Sequence, residues 1–230
     1  MSSIKKIVIL VLILAVPGFL YYLLTSQGKN RYKPLPFYGP KPLSGTFHTF
    51  HGKKIPDTLF HKAGDFNLLD QDGKPVSFKT LEGQILVISF FYTHCPDICT
   101  KVNANMDSLA GYYIKNKLVT FASITVDPQR DNAAVLKSFA AQYRQPASKW
   151  KFLTGDTTTI YTLARKGLFV DALQSGKDEF IASSKIVLLD PERRIRGYYD
   201  GTSATDVTRL VDELKVQISE ELRKKEKPLY

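Results

Sequence analysis

The sequence predicts an α/β fold in which a central mixed sheet lies between helices. Two apolar, β-branched runs, residues 85–92 and 119–127, have the continuous hydrophobic pattern of strands buried on both faces. A stretch with helical periodicity follows each of them. A predicted strand hairpin and a long amphipathic helix then close the chain. Strands that alternate with helices in this way favour a sheet covered on both faces.

The individual elements follow from local patterns. A turn at Asp72-Gly73 divides residues 65–78 into two short strands, an extra hairpin ahead of the first buried strand. The closing helix is predicted from apolar residues that recur along one stripe between Val207 and Leu222. This closing helix covers residues 204–224. The other predicted elements are helices over 100–115, 131–143 and 157–166, a short strand at 151–153, and a hairpin over 185–190 and 194–199.

Composition indicates one globular domain and argues against nucleic-acid binding. The chain has 230 residues, of which 43% are hydrophobic, enough for one buried core. The formal net charge is +10, but the basic residues are spread along the chain and form no run interleaved with aromatics. We interpret the excess as a basic surface near anionic lipid or an acidic partner.

An apolar segment near the N-terminus predicts a single membrane anchor. Residues 7–24 form an 18-residue stretch without a charge, which is long enough to cross a bilayer. Lys5 and Lys6 precede it, so the positive-inside rule makes residues 1–6 a cytoplasmic leader and places the C-terminal domain outside the cytoplasm, on the periplasmic side. A cleaved signal peptide is the alternative, although no small-x-small cleavage site follows Leu24.

The rest of the chain divides into a linker, a domain and a tail. Residues 25–54 are predicted to be an extended linker, because four prolines between Pro34 and Pro42 disfavour helix. The folded domain is predicted over residues 55–224, with a tail at 225–230.

The chemistry of the domain is expected to depend on its two cysteines, Cys95 and Cys99. They lie where the first buried strand should give way to a helix, whose N-terminal N–H groups and dipole lower the pKa of a thiol. A separation of four brings both thiols onto one helical face, so they can form a disulfide or share a soft metal ion. A cysteine-containing turn directly after a central strand is typical of the thioredoxin-like fold.

The four histidines are candidates for a further metal ligand. Two thiolates can suffice for Cu(I), whereas Cu(II) normally needs imidazole as well. Three of the four histidines, His48, His51 and His61, precede the core and are interpreted as solvated surface residues. His94 adjoins Cys95 and could tune its thiol pKa from a second shell.

Three segments carry a resemblance to a known family. They are FYTHCPDICT at residues 91–100, TVDPQRD at 125–131 and KIVLLDPERRIRGYYDGT at 185–202. Over residues 43–222 the chain resembles the Sco/SenC family of copper-binding, thioredoxin-like proteins. The resemblance implies that Cys95 and Cys99 are copper ligands and that Asp127 is a second-shell residue. It also implies a partner, either the cytochrome c oxidase subunit that carries CuA or another copper chaperone.

The sequence departs from the family at one position. The family's third ligand is a histidine shortly before the KIVLLDP-like strand, and the corresponding residue is Ala182. Alanine cannot ligate a metal, so the remaining thiolates should favour Cu(I) and make Cu(II) doubtful.

Three functions remain open from the sequence. The first is a copper metallochaperone that assists assembly of the CuA site of cytochrome c oxidase. The second is an extracytoplasmic thiol–disulfide oxidoreductase that uses the Cys95/Cys99 pair, since disulfide exchange needs no histidine. The third is a non-catalytic binding or redox-sensor domain. Whether the protein is an enzyme is left undecided by the sequence.

Overall fold

The structure is a computed structural model that describes residues 3–26, 34–174 and 180–226. The chain divides into two compact units, residues 1–34 and 35–230, and each is described by itself. The first unit contains helix α1 (Ser3–Ser26), which includes Pro17. Its segment Ser3–Leu23 has a mean hydropathy of 2.3 and is long and apolar enough to cross a membrane. Among the described residues it is the one helix with that property.

The second unit contains the remaining elements. Its strands are β1 (Leu43–Phe50), β2 (Lys53–Thr58), β3 (Asn67–Asp70), β4 (Pro75–Ser77), β5 (Ile85–Phe91), β6 (Val119–Thr125), β7 (Trp150–Thr154), β8 (Ala172–Gln174), β9 (Phe180–Ala182), β10 (Lys185–Leu189) and β11 (Ile195–Asp200). Its helices are α2 (Asp97–Tyr112), α3 (Ala133–Ala140), α4 (Thr157–Thr162) and α5 (Ala204–Glu226), and a π-helical turn (Leu163–Gly167) extends α4.

Seven of these strands form one mixed sheet in the order β11-β10-β5-β6-β7-β3-β4. Strands β5, β6 and β7 are parallel to one another, and the outer pairs are antiparallel. Every residue of β5 and β6 is buried, as their continuous apolar pattern predicts. The predicted fold class, a thioredoxin-like mixed sheet between helices behind one N-terminal apolar helix, is confirmed.

Two hydrophobic clusters cover the two faces of the sheet. Successive side chains of a strand point to opposite faces, so Leu86 and Ile88 of β5 join one cluster while Ile85 and Val87 join the other. The second cluster also includes apolar residues of α2 and α5, among them Leu210. These two helices thereby cover the face of the sheet on which Cys99 packs.

The region before residue 55 differs from its predicted form. Instead of an extended linker throughout, residues 43–58 form the antiparallel β1–β2 hairpin, whose turn is made by His51 and Gly52 at φ of 48° and 76°. Leu35 is buried in the core, and its N–H donates to the Glu220 carboxylate at 2.9 Å. The sequence did not predict this hairpin, because almost all of its side chains are exposed. A strand with no buried face has no alternating apolar pattern by which to recognise it.

Candidate functional site

The two cysteines lie at the junction of β5 and α2. Strand β5 ends at Phe91 and helix α2 begins at Asp97, so Cys95 is in the connection and Cys99 is in the first helical turn. Pro96 is the N-cap residue with an extended backbone. The N–H of Cys95 donates to the carbonyl of Tyr92 at 3.1 Å, which closes a tight turn before the helix.

Cys95 and Cys99 form a disulfide, with their Cα atoms 5.8 Å apart. The two cysteines have different surroundings. Cys95 is partly exposed at the edge of the core, whereas Cys99 is only 5% exposed and packs with the buried residues of α2. An incoming thiolate or metal donor therefore meets Cys95 first.

A buried carboxylate, Asp131, holds the loop that carries Cys95. Asp131 is fully buried and accepts the backbone N–H of Thr93 at 3.0 Å and the hydroxyl of the same residue. It also accepts the hydroxyl of Thr125, the last residue of β6. One side chain thus joins the end of β6 to the segment two residues before Cys95. The sequence analysis assigns Asp131 no role. Its place at the end of the TVDPQRD segment, which carries the family resemblance, is the feature that could have identified it.

Asp127 lies beside this carboxylate and is 4% exposed. Its N–H donates to the Thr125 hydroxyl at 3.0 Å, and Arg130 Nε lies 3.6 Å from its Oδ2. Burial raises the pKa of Asp127, and the neighbouring Asp131 raises it further, while Arg130 and His94 act in the opposite direction. Asp127 is therefore a buried carboxylate in the loop after β6, between Asp131 and Arg130. The sequence predicts that it tunes the cysteine site without ligating the metal.

The structure separates the four histidines. His94 is exposed, and its Nδ1 lies 3.1 Å from the Thr93 hydroxyl. His48 pairs with Asp57 on the β1–β2 hairpin, and His51 lies in the hairpin turn. His61 is half-buried, with Nε2 2.8 Å from the Gly167 carbonyl, so its interpretation as a solvated residue is wrong.

Ala182 is the last residue of β9, which pairs with β8 in a separate two-stranded hairpin opposite Ala172. The residues between these two strands, 175–179, lie outside the described part of the chain. Within residues 3–26, 34–174 and 180–226, no three His, Cys, Asp or Glu side chains are grouped to hold a metal ion. The soft donor set that the described residues supply is the cysteine pair.

Comparison with known proteins is consistent with this geometry. The SCO1/SenC family model matches residues 56–219. A SCO1 protein homolog of Bacillus subtilis is 31% identical over 167 residues, covering 71% of this chain and 86% of that protein.

Solved structures agree with the sequence comparison. BsSco, described as a member of the Sco family of cytochrome c oxidase assembly proteins with a disulfide switch, is 31% identical and superposes with a TM-score of 0.61 over 70% of this chain and 95% of its own. Arabidopsis thaliana ScoI, solved with copper bound, is 27% identical with a TM-score of 0.57 over 70% of this chain and 98% of its own. Because the family model matches more than half of the chain, this protein belongs to the SCO1/SenC family.

Proposed function

We propose that this protein binds copper as Cu(I) through Cys95 and Cys99 and assists assembly of the CuA site of cytochrome c oxidase. The observation that carries the proposal is the disulfide itself, with Cα atoms 5.8 Å apart at the start of α2. Once two electrons reduce it, the two thiolates remain side by side at a helix N-terminus, where positive partial charge favours the thiolate form. Family membership and the copper-bound relative support the same cargo.

The preference for Cu(I) follows from the donor set. Thiolates are soft ligands that favour Cu(I), and two of them can suffice for this ion. Cu(II) prefers added nitrogen ligands, and Ala182 stands where the resemblance expects histidine. His94 is exposed next to Cys95 and Asp127 is buried in the loop after β6, so we assign both to tuning rather than to ligation.

The proposed setting is the membrane surface outside the cytoplasm. Helix α1 is the proposed anchor, and Lys5 and Lys6 before its apolar core favour a cytoplasmic N-terminus. The domain would then face the oxidase subunit that carries CuA, or another copper chaperone.

Competition with a Cu(I) chelator tests the copper proposal. The full-length protein in detergent micelles is reduced and titrated without oxygen against bathocuproine disulfonate. We expect one Cu(I) per chain, and we expect both Cys95→Ser and Cys99→Ser to lose competitive binding. Met106→Leu is the matched control, because Met106 is fully buried and its sulfur is the one in the sequence besides those of the two cysteines and Met1. Equal binding by Cys95→Ser and the unsubstituted protein would refute the proposal.

Thiol–disulfide exchange is a second candidate, favoured by the unequal exposure of the two cysteines. In this reaction the Cys95 thiolate attacks a partner disulfide and releases one partner thiolate. The Cys99 thiolate then attacks the Cys95 sulfur, which releases the second partner thiolate and closes the Cys95–Cys99 disulfide. Two electrons pass from the pair to the partner, and an external dithiol must reduce the pair again.

Trapping separates this candidate from copper binding. Cys99→Ser should accumulate a mixed disulfide between Cys95 and an oxidised CuA-domain substrate, because the resolving thiol is missing. Cys95→Ser should not accumulate it, because the buried Cys99 is poorly accessible. If neither variant traps the substrate, exchange is excluded. If Cys95→Ser also preserves oxidase assembly in cells, a non-catalytic binding role remains.

A further inference from the structure

The β1–β2 hairpin stands apart from the main sheet. Its two strands pair only with each other, and the Leu59 N–H donates to the Pro42 carbonyl at 2.9 Å to close its base. Along both strands every residue is exposed except Ser44 and Asp57, which are partly buried. Within the described domain, therefore, neither face of this hairpin is covered.

The uncovered hairpin presents large apolar side chains to solvent. Leu43, Phe47 and Phe50 are 65%, 63% and 59% exposed, and Leu59 just beyond β2 is 55% exposed. Single exposed apolar residues are ordinary on protein surfaces, but several together on one small element mark an interaction surface.

Basic side chains accompany these apolar residues on both faces. Strand pairing places Lys53 opposite Phe50 and Lys54 opposite Thr49, so each face combines a phenylalanine with a lysine. The carboxylate of Asp57 is the hairpin's one acidic group, and it is engaged by Thr46 and His48, which hold its pKa below the usual range. No carboxylate among the described residues forms an ion pair with Lys53 or Lys54. The hairpin therefore carries a lysine on the same face as each of its two phenylalanines.

We propose that the turn end of the β1–β2 hairpin contacts an anionic lipid surface, with Phe50 in the headgroup region and with Lys53 and Lys54, which directly follow the turn, on lipid phosphates. Aromatic and apolar groups with adjoining basic residues are the chemistry that anionic bilayers recognise. This inference rests on the proposed membrane anchor of α1, and it adds a second contact of the same protein with the bilayer.

The position of the hairpin in the chain supports a lipid occupant. Sixteen residues separate Ser26, the end of the apolar helix, from Leu43, the start of β1. Even at full extension they span only about 60 Å, so the hairpin is held at a high effective concentration near any bilayer that α1 enters. Strand β1 also lies outside the matched family region, which begins at residue 56.

Fluorescence quenching by brominated lipids tests the proposal on the full-length chain in vesicles. Phe50→Trp places a reporter on the hairpin, and Tyr112→Trp places one at the equally exposed end of α2 as the matched control. Trp150 is the natural tryptophan and is buried, so the unsubstituted protein supplies the background signal. We expect brominated lipid to quench the Phe50→Trp reporter in vesicles containing phosphatidylglycerol and to leave the Tyr112→Trp reporter unchanged.

Charge reversal and vesicle composition complete the test. Adding Lys53→Glu and Lys54→Glu to the Phe50→Trp variant should reduce the quenching of its tryptophan by brominated lipid at least about tenfold. Raising the salt to 1 M should have the same effect on the Phe50→Trp variant. Vesicle flotation measures the anchor separately, because it depends on α1. If the protein floats with vesicles but the Phe50→Trp reporter is not quenched, the anchor stands and the lipid contact is refuted.

Discussion

Asp131 and Thr93 are joined by two hydrogen bonds that connect the end of β6 to the loop carrying Cys95. The Asp131 carboxylate accepts both the backbone N–H and the hydroxyl of Thr93, and it accepts the Thr125 hydroxyl as well. The position of the partly exposed cysteine is therefore set by a side chain 36 residues further along the chain.

Replacing Asp131 by Asn is expected to lower the free energy of unfolding by about 3 kcal/mol. The amide has one acceptor oxygen instead of two, and its NH₂ group faces donors, so buried hydrogen-bond donors lose their partner. Urea unfolding of the oxidised protein, followed by the fluorescence of the buried Trp150, measures the change. Asp97→Asn, at an exposed carboxylate in the first turn of α2, is the control and should cost less than about 1 kcal/mol. Equal losses in the two variants would contradict the assigned role.

Asp127 should make stability depend on pH. Burial and the neighbouring Asp131 raise its folded-state pKa above the ordinary value of an aspartate, so folding favours the protonated carboxyl. That contribution is complete below the unfolded pKa and is lost as the pH rises through the folded pKa. The unsubstituted protein therefore carries a penalty at neutral pH that Asp127→Asn should not carry.

Urea unfolding of both proteins across this pH range checks the sign. Relative to the unsubstituted protein, Asp127→Asn should gain stability as the pH rises through the folded pKa and show no further change above it. Asp97→Asn again serves as the exposed control. An Asp127→Asn variant that loses stability with rising pH would show that the ion pair with Arg130 outweighs burial.

Arg196 should be among the most costly residues to truncate. Its guanidinium is 1% exposed and pairs with Asp190 at 3.4 Å and Glu220 at 2.8 Å, and it also donates to the Leu35 carbonyl. Arg196→Leu leaves both carboxylates without this cation and should cost about 3–5 kcal/mol in urea unfolding.

The exposed Lys215–Asp212 pair is the matched comparison for Arg196. Its N–O distance is 3.0 Å and both side chains are largely solvated. Lys215→Met should change the free energy of unfolding by less than about 1 kcal/mol. A small effect at Arg196 would mean that this buried network contributes little beyond its packing.

Restoring an imidazole at position 182 is expected to shift the metal preference. Ala182→His should raise Cu(II) affinity at least about tenfold and change Cu(I) affinity less, because the thiolates already satisfy the softer ion. Electron paramagnetic resonance of the Cu(II) form and chelator competition measure the two effects. Ser183→His adds the same group one position further on and should not reproduce the gain. An unchanged Cu(II) spectrum in Ala182→His would argue against this residue as the ligand position.

Much of the fold was predictable because buried strands and helices need apolar residues at regular positions in the sequence. Strands β5 and β6 are buried on both faces, and their continuous apolar runs predict them within two residues at either end. Helix α5 buries Leu210 and Leu214 on one stripe, which the helical period predicts. The β1–β2 hairpin has no buried face, so no comparable pattern indicates it.

The mixed α/β sheet and the position of the cysteine pair at a strand-to-helix junction follow from the amino-acid order alone, because periodicity and four-residue spacing are local properties. The packed fold was needed to show that Cys99 is buried while Cys95 is partly exposed, and that Asp131 rather than a nearby residue holds the Cys95 loop. It was also needed to show that Arg196 is buried between Asp190 and Glu220. Asp131 and Thr93 are 38 residues apart, and Arg196 and Glu220 are 24 residues apart. A buried charge is tolerated only where such partners meet it, which no local pattern reveals.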